Sequence, residues 1–317
     1  MSDVVLRGAG ESVVAFRHEA FLYAGATAFL EGTVPFIEAG LRADEPVLVV
    51  VGAEKIERLR AALGAGAGRV AFADMATVGH NPARIIPAWR EFLAASGEGR
   101  QVRGIGEPVY PERTPDELLE CQRHEALLNV AFAGGVPWRL LCPYDTTALR
   151  PDVIAAAHQS HRFVTYGPGE GRSTDYRGDG WVGPDEDVLP EPPSDPDQLR
   201  FIGPSLESVR NFVLEQVGEA LGRAELSDLL LAVTEVAGNS LLHGGGAGTV
   251  RVWTTPGGVV CEVSDRGWIR QPLVGRMRPA PDGESGRGLW MVNQLCDLLQ
   301  LRTSPAGTVA RLHMHRR

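Results

Sequence analysis

Glu235, Asn239 and His243 recur every four residues in the stretch EVAGNSLLHGGG. Residues four apart stand on one face of an α-helix, one turn above the next. Leu226, Leu229, Leu230, Val233 and Val236 give that helix an apolar side. A carboxylate and a carboxamide are thereby presented together, and three glycines follow at once. Oxygen donors of this kind suit Mg²⁺, which is held by one or two protein oxygens plus substrate phosphates. A solvated polar stripe has the same spacing, so the motif takes its meaning from what lies downstream. Asp265-Arg266-Gly267 closes TVRVWTTPGGVVCEVSDRG, a hairpin pattern with apolar residues alternating on both sides of a Pro256-Gly257 turn. Gly286-Arg287-Gly288-Leu289 then opens the apolar helical run LWMVNQLCDLL. Glycines at a helix start let backbone N–H groups approach a phosphate, where the helix dipole also favours negative charge.

Taken in order, ExxxNxxxHG, a hairpin ending in DxG, a variable loop and GxGL resemble the ATP-binding domain shared by gyrase, Hsp90, histidine kinases and MutL. The short helix carrying Asn239, a compact lid at about 269–285 and the terminal Gly307-Thr308 strand look most like the anti-sigma-factor serine kinases. The resemblance implies a Bergerat-type α/β sandwich that binds ATP and Mg²⁺. It assigns Asp265 to the exocyclic amine of adenine, Gly267 to making room for the base, and Thr308 to a supporting hydroxyl. Asn239 becomes the Mg²⁺ ligand, and Gly286 and Gly288 supply backbone donors. One of Arg276, Arg278 and Arg287 would meet the γ-phosphate. Glu235 would be the general base on an attacking hydroxyl, or else a partner orienting the metal's water. His243 is expected to close the helix end, where a cation is favoured.

These residues need a scaffold, and 317 residues with 44% apolar content suffice for two cores. No run of 18 apolar residues exists to span a membrane, and no signal-peptide pattern opens the chain. Four cysteines, at 121, 142, 261 and 296, show no CxxC pairing and read as reduced thiols of a cytoplasmic protein. The net charge of −9 divides into −4 over residues 1–165, −7 over 166–198 and +2 over 199–317. No basic stripe is present to neutralise a nucleic acid. Lys55 is the sole lysine, so a phosphate-contacting cation in the C-terminal half must be an arginine.

Residues 10–165 alternate strand and helix patterns, which predicts a three-layer α/β domain with a largely parallel sheet. It has no GxxxxGK[ST] loop, and Gly52-Ala53-Glu54-Lys55 follows the first valine-rich strand, so this domain is read as non-catalytic. The phrases FRHEAFLY, VPFIEAGLRADEPVLVV, RGIGEPVYPERTPDELLECQRHEALLN and LLCPYDTTAL resemble the sensory domain named after the dichloromethane regulator of methylotrophs and methanogens, MEDS. That resemblance implies a degenerate recombinase-like fold without its phosphate loop, and an undefined small-molecule signal. His18, Cys121, His124, Cys142 and Asp145 are candidates for a metal site or a small-molecule pocket, with Cys121-x-x-His124 at ligand-like spacing. A buried thiol and a satisfied core histidine account for the same residues. His18-Glu19 and His124-Glu125 also evoke a phospho-acceptor, but neither lies in the two-helix hairpin that one requires.

Residues 166–198, dense in Gly, Pro and Asp, are expected to form a semi-extended acidic linker. The ATPase-like domain is placed at 199–317, beginning with a helix from Ser205 as N-cap to Gly222 just past its end. The function these features suggest is a sensor-coupled anti-sigma regulator. It would phosphorylate serine or threonine of an antagonist protein and bind a sigma factor. An ATP-gated sequestering module and an atypical sensor histidine kinase are the alternatives, and a homodimer is left open.

Overall fold

The computed structural model of the chain describes residues 16–97, 99–134, 137–167, 169–183, 189–193, 195–203, 206–280 and 286–316. All five residues of Val47–Val51 are buried, as befits a strand covered on both faces. Val47, Val49 and Val51 pack with Phe29, Ile37, Ile56 and Leu59. Leu48 and Val50 point the other way, into a core with Ile86, Trp89, Leu127 and Leu128. The run is β2 of a seven-stranded sheet made of β1 (Phe16–Tyr23), β2, β3 (Ala71–Asp74), β4 (Val102–Gly106), β5 (Trp138–Asp145), β6 (Phe163–Tyr166) and β7 (Gly169–Arg172), in the order β3-β2-β4-β5-β1-β6-β7. Only the β6–β7 pairing is antiparallel. Helices α1 (Gly25–Arg42) and α2 (Ala53–Leu63) cover one face. The one-turn α3 (Met75–Val78), α4 (Ile85–Ala95), α5 (Pro115–Ala131) and α6 (Pro151–Ser160) cover the other. The three layers expected from the alternating pattern are present.

Helix α5 has a sharply defined start. Thr114 accepts from the Glu117 N–H at 3.3 Å and Glu117 accepts from the Thr114 N–H at 2.8 Å, with Pro115 at the first helical position. This capping box is legible in the words TPDE. Beyond it, Glu120, Cys121, His124, Glu125 and Asn129 are all buried, so α5 is enclosed rather than amphipathic.

The second sheet holds β8 (Asp197–Ile202), β9 (Ala247–Thr255), β10 (Gly258–Asp265), β11 (Leu298–Ser304) and β12 (Gly307–His315), all antiparallel, in the order β11-β12-β10-β9-β8. One face packs on α7 (Leu206–Val217), α8 (Arg223–His243) and α9 (Arg287–Leu295) through Val209, Val213, Leu229, Val233, Val292 and their neighbours. Alternation along β11 sends Leu299 and Leu301 into that core and turns Gln300 and Arg302 outward, onto Asp116 and Glu120 of α5. The outer face of the second sheet therefore rests on the first domain.

Two expectations are corrected. Residues 166–198 do not form a semi-extended linker along their length: β7 extends the first sheet, β8 begins within the segment and edges the second, and Ser173 and Arg177 bond back to the α6 backbone. Helix α7 ends at Val217, five residues before Gly222, and Gly222 instead precedes α8 as its N-cap. Ser205 lies outside the described residues. Among the described residues no helix is long and apolar enough to cross a membrane.

Candidate functional site

The last three turns of α8, the end of β10 and the start of α9 enclose a cavity of about 370 Å³. Asn239, His243, Gly244, Asp265, Gly267, Gly286, Gly288 and Thr308 line it, with Val236, Ile269, Leu289 and Leu301 as apolar walls. Asp265 sits at its floor with a fixed carboxylate. Ser240 donates its hydroxyl to Asp265 Oδ2 at 2.6 Å, and the Gly267 N–H donates to Oδ1 at 2.7 Å. An ionised carboxylate has about four lone-pair sites, so capacity remains for a ligand's amine. The tight floor requires glycine at 244, where a Cβ would meet Asp265 Cγ at 2.4 Å.

Behind the floor runs an ordered chain of hydroxyls. The Ile269 N–H donates to Thr303 Oγ1 at 2.9 Å, and because the Thr308 proton goes to the Gly267 carbonyl, Thr303 donates to Thr308 Oγ1, also at 2.9 Å. Thr308 then donates to the Gly267 carbonyl at 2.8 Å. Thr308 thus anchors the loop that follows Asp265.

The other end of the cavity is formed by the start of α9. Gly286 has φ 86°, a left-handed conformation that favours glycine, and among the described residues no side chain caps the α9 start. A Cβ at Gly288 would stand 3.0 Å from Glu235 Oε2 and 3.4 Å from Asn239 Nδ2. The polar face of α8 and the N-terminus of α9 therefore meet at this glycine, which leaves backbone exposed where a phosphate could approach. Glu235 and Asn239 are half-buried and Arg287, the first residue of α9, is exposed. A carboxamide oxygen beside a carboxylate and a helix N-terminus is a donor set that Mg²⁺ with phosphate oxygens fits. His243 is the last residue of α8 and borders the cavity.

Of the three lid arginines, Arg276 is removed from the nucleotide role by its partners. Its guanidinium is buried and bonds Glu120 of α5 at 2.8 Å. Arg302 holds the second oxygen of Glu120 at 2.7 Å. Burial keeps Arg276 below the usual arginine range. Its neighbours Leu273 and Met277 pack on the first domain's core, and Asn81 donates to backbone carbonyls of Asn293 and Cys296 at the far end of α9. The root of the lid is thus part of the interface between domains. Arg278 is exposed, and the lid residues 281–285 lie outside the described residues.

In the first domain, His18 and Cys142 come together, 3.3 Å apart. Cys121 and His124 do not join them. Cys121 donates to the Pro108 carbonyl at 3.2 Å, and burial pushes its thiol up to about 12. Burial pushes the His124 imidazole down to about 3. Asp145 instead accepts from Thr147 and the Gly25 N–H at the end of β5. Reading the sequence passed over Ser240, Glu120 and Arg302, and His161, which lies 3.2 Å from Glu125. Ser240 had a usable signal, since it follows Asn239 directly on the same helix. His161 had none, because it reaches Glu125 only through the fold.

Residues 17–162 match the family described as MEDS, the methanogen/methylotroph DcmR sensory domain, and residues 193–314 match the histidine kinase-like ATPase domain. The chain therefore joins an N-terminal MEDS domain to a C-terminal histidine kinase-like ATPase domain. Among solved structures it is similar to the RsbU and RsbW domains of Rv1364c from Mycobacterium tuberculosis. The identity is 21% and the TM-score 0.29, over 38% of this chain and 33% of that one. The chain thus spans about a third of the length of that protein. No curated protein matches it.

Proposed function

We propose that the protein is a sensor-coupled regulator whose C-terminal domain binds Mg-ATP and phosphorylates a serine or threonine of a partner protein of the anti-sigma antagonist class. The observation that carries this reading is the meeting of Glu235, Asn239 and Gly288 at one end of a cavity whose other end is Asp265. Asp265 accepts the exocyclic amine of adenine and turns away the carbonyl that guanine presents there. Gly267 leaves space for the base, and Thr308 steadies the loop through its bond to the Gly267 carbonyl. The backbone of Gly286 and Gly288 faces the phosphates, with Arg287 beside them. Asn239 Oδ1 is the protein ligand for Mg²⁺, which when bound neutralises charge on the phosphate oxygens.

Glu235 takes the proton from the attacking hydroxyl as its oxygen bonds the γ-phosphorus. The bond to the β-phosphate oxygen breaks, ADP leaves, and Glu235 returns the proton to water. The buried positions of His18 and His124, 4% and 1% exposed, argue against either as phospho-acceptor. The sensory input reaches this site through the lid root, where Arg276 is held by Glu120.

Incubating the full chain with γ-labelled ATP and candidate antagonist proteins tests the proposal. Acid-stable label on the partner is expected. Acid-labile label on the chain itself would indicate a histidine kinase. Partner capture that needs ATP but yields no label would indicate an ATP-gated binding module. In a parallel calorimetric titration, equal affinity for ATP and GTP would remove the role given to Asp265.

A further inference from the structure

Inside the first domain, four donor atoms converge with almost no protons among them. His18 lies on β1, Glu125 on α5 and Cys142 on β5, while His161 follows the end of α6. All four are buried, and their donor atoms lie within 4.8 Å of one another. Glu125 Oε2 is 2.9 Å from His18 Nε2 and 3.2 Å from His161 Nε2, and Cys142 Sγ is 3.3 Å from His18 Nε2.

The surrounding hydrogen bonds fix where the protons are. Asn129 Nδ2 donates to the Ser160 carbonyl at 2.8 Å, which leaves its Oδ1 facing His18 Nδ1 at 3.1 Å. His18 therefore carries its proton on Nδ1 and turns the Nε2 lone pair inward. His161 Nδ1 stands 2.8 Å from the Ala157 carbonyl, which can only accept. Ser160 Oγ, 3.0 Å from the same nitrogen, has the Ala156 and Ala157 carbonyls at 3.3 Å for its own proton. His161 is thus protonated on Nδ1 as well, and among the described residues its Nε2 has no hydrogen-bond partner. One S–H proton, on Cys142, remains for two imidazole lone pairs and a carboxylate whose Oε1 is also unpartnered. Buried acceptors facing one another in this way are satisfied by a cation between them.

We propose that His18, Glu125, Cys142 and His161 bind one transition-metal dication, for which Zn²⁺ is the best match. Two imidazoles, a thiolate and a carboxylate form a mixed N, S and O set suited to tetrahedral Zn²⁺. Tetrahedral Zn–N and Zn–S bonds place donors roughly 3.3–3.8 Å apart, so the cluster needs only small side-chain adjustments. Both histidines already give their outer N–H to an oxygen, the arrangement that orients metal-binding imidazoles. Binding displaces the Cys142 proton, so one proton is released for each metal taken up. Four protein ligands close the shell, which makes the site a structural or sensing centre without an open position for chemistry.

The test uses the full chain. Metal analysis of protein purified without chelator is expected to give one zinc per chain. After chelation, Co²⁺ titration is expected to produce a thiolate-to-cobalt charge-transfer band at one equivalent. Cys142→Ser abolishes the band, whereas Cys121→Ser, a buried thiol on the same helix as Glu125, keeps it. Asn129→Ala, which removes the positioning partner of His18 together with its bond to the Ser160 carbonyl, weakens Zn²⁺ affinity about 10–100-fold. Since Cys142→Ser could unfold the domain, His161→Gln is measured beside it, with circular dichroism confirming that the metal-free chain stays folded. A folded chain that takes up no Zn²⁺ or Co²⁺ overturns the proposal. A band that survives both Cys142→Ser and His161→Gln overturns it too. Because the readout is metal binding and not phosphoryl transfer, failure here leaves the nucleotide reading standing, and the converse holds.

Discussion

His18, Glu125, Cys142 and His161 are all buried within the first domain, and both imidazoles are already oriented by hydrogen bonds from the surrounding layers. Glu235, Asn239 and Asp265 are only half-buried, and one wall of their cavity, Trp268 to Val274, belongs to a lid. The first cluster is assembled by the core and is accessible only through fluctuation. The second is half-assembled by rigid helices and completed by a segment whose root is held by the other domain. A fully enclosed site is suited to slow, tight occupancy, whereas a lidded one is suited to turnover.

Four experiments bear on that contrast. The largest effect belongs to Glu235→Gln, which keeps shape and hydrogen bonding but cannot take a proton. Transfer to the partner is expected to fall roughly 10²–10⁴-fold, with ATP affinity by calorimetry close to that of the unaltered chain. Retained transfer would reduce Glu235 to an orienting role. Next comes Glu120→Ala, which leaves Arg276 and Arg302 buried without their shared anion. Breaking a buried ion pair costs about 3–5 kcal/mol, and thermal unfolding should show it as a lowered Tm. An unchanged Tm would mean that the domains do not dock in solution as described.

Asn239→Ala should weaken Mg²⁺-dependent ATP binding by about 10–100-fold, the scale of hydrogen bonds to charged groups, with little change in Mg²⁺-free binding. Equal losses with and without Mg²⁺ would assign Asn239 to the nucleotide itself.

The smallest effect concerns His313 on β12, a half-buried ring bonded to Gln300 at 2.9 Å. Burial pushes it down to about 4 from its ordinary 6.5, against the pull of Asp116 and Glu120 and with the push of Arg311 and His315. The unfolded chain therefore takes up this proton first. The stability contribution is full above pH 6.5 and is lost as the pH falls toward 4, with a slope of at most about 1.4 kcal/mol per pH unit. His313→Gln should flatten the Tm profile in that window, and an unaltered profile would show that the ring is not buried neutral.

Much of the nucleotide cavity was legible in the sequence because its residues are local. Glu235 and Asn239 share one helix turn, Asp265 ends a hairpin and Gly286 opens a helix, so spacing alone placed each on its element. The first domain's alternation of strand and helix was legible for the same reason. What escaped depends on contacts distant along the chain. Glu125 meets His161 by way of α5 and α6, and the supposed linker contributes strands because its short Gly-rich and polar runs find open sheet edges, which composition does not reveal. The overlong estimate for α7 has a local cause: Gly218 stops the helix after Val217, and a single glycine inside an apolar pattern is a weak signal.

Glu120 binds two cations with one charge, and one of those cations belongs to the lid. The joint consequently works in both directions. By whatever factor the docked sensory domain changes the affinity for ATP, bound ATP must change the strength of that docking by the same factor. In the proposed regulator, the nucleotide is then an input to the sensor as much as the sensor is an input to the nucleotide site.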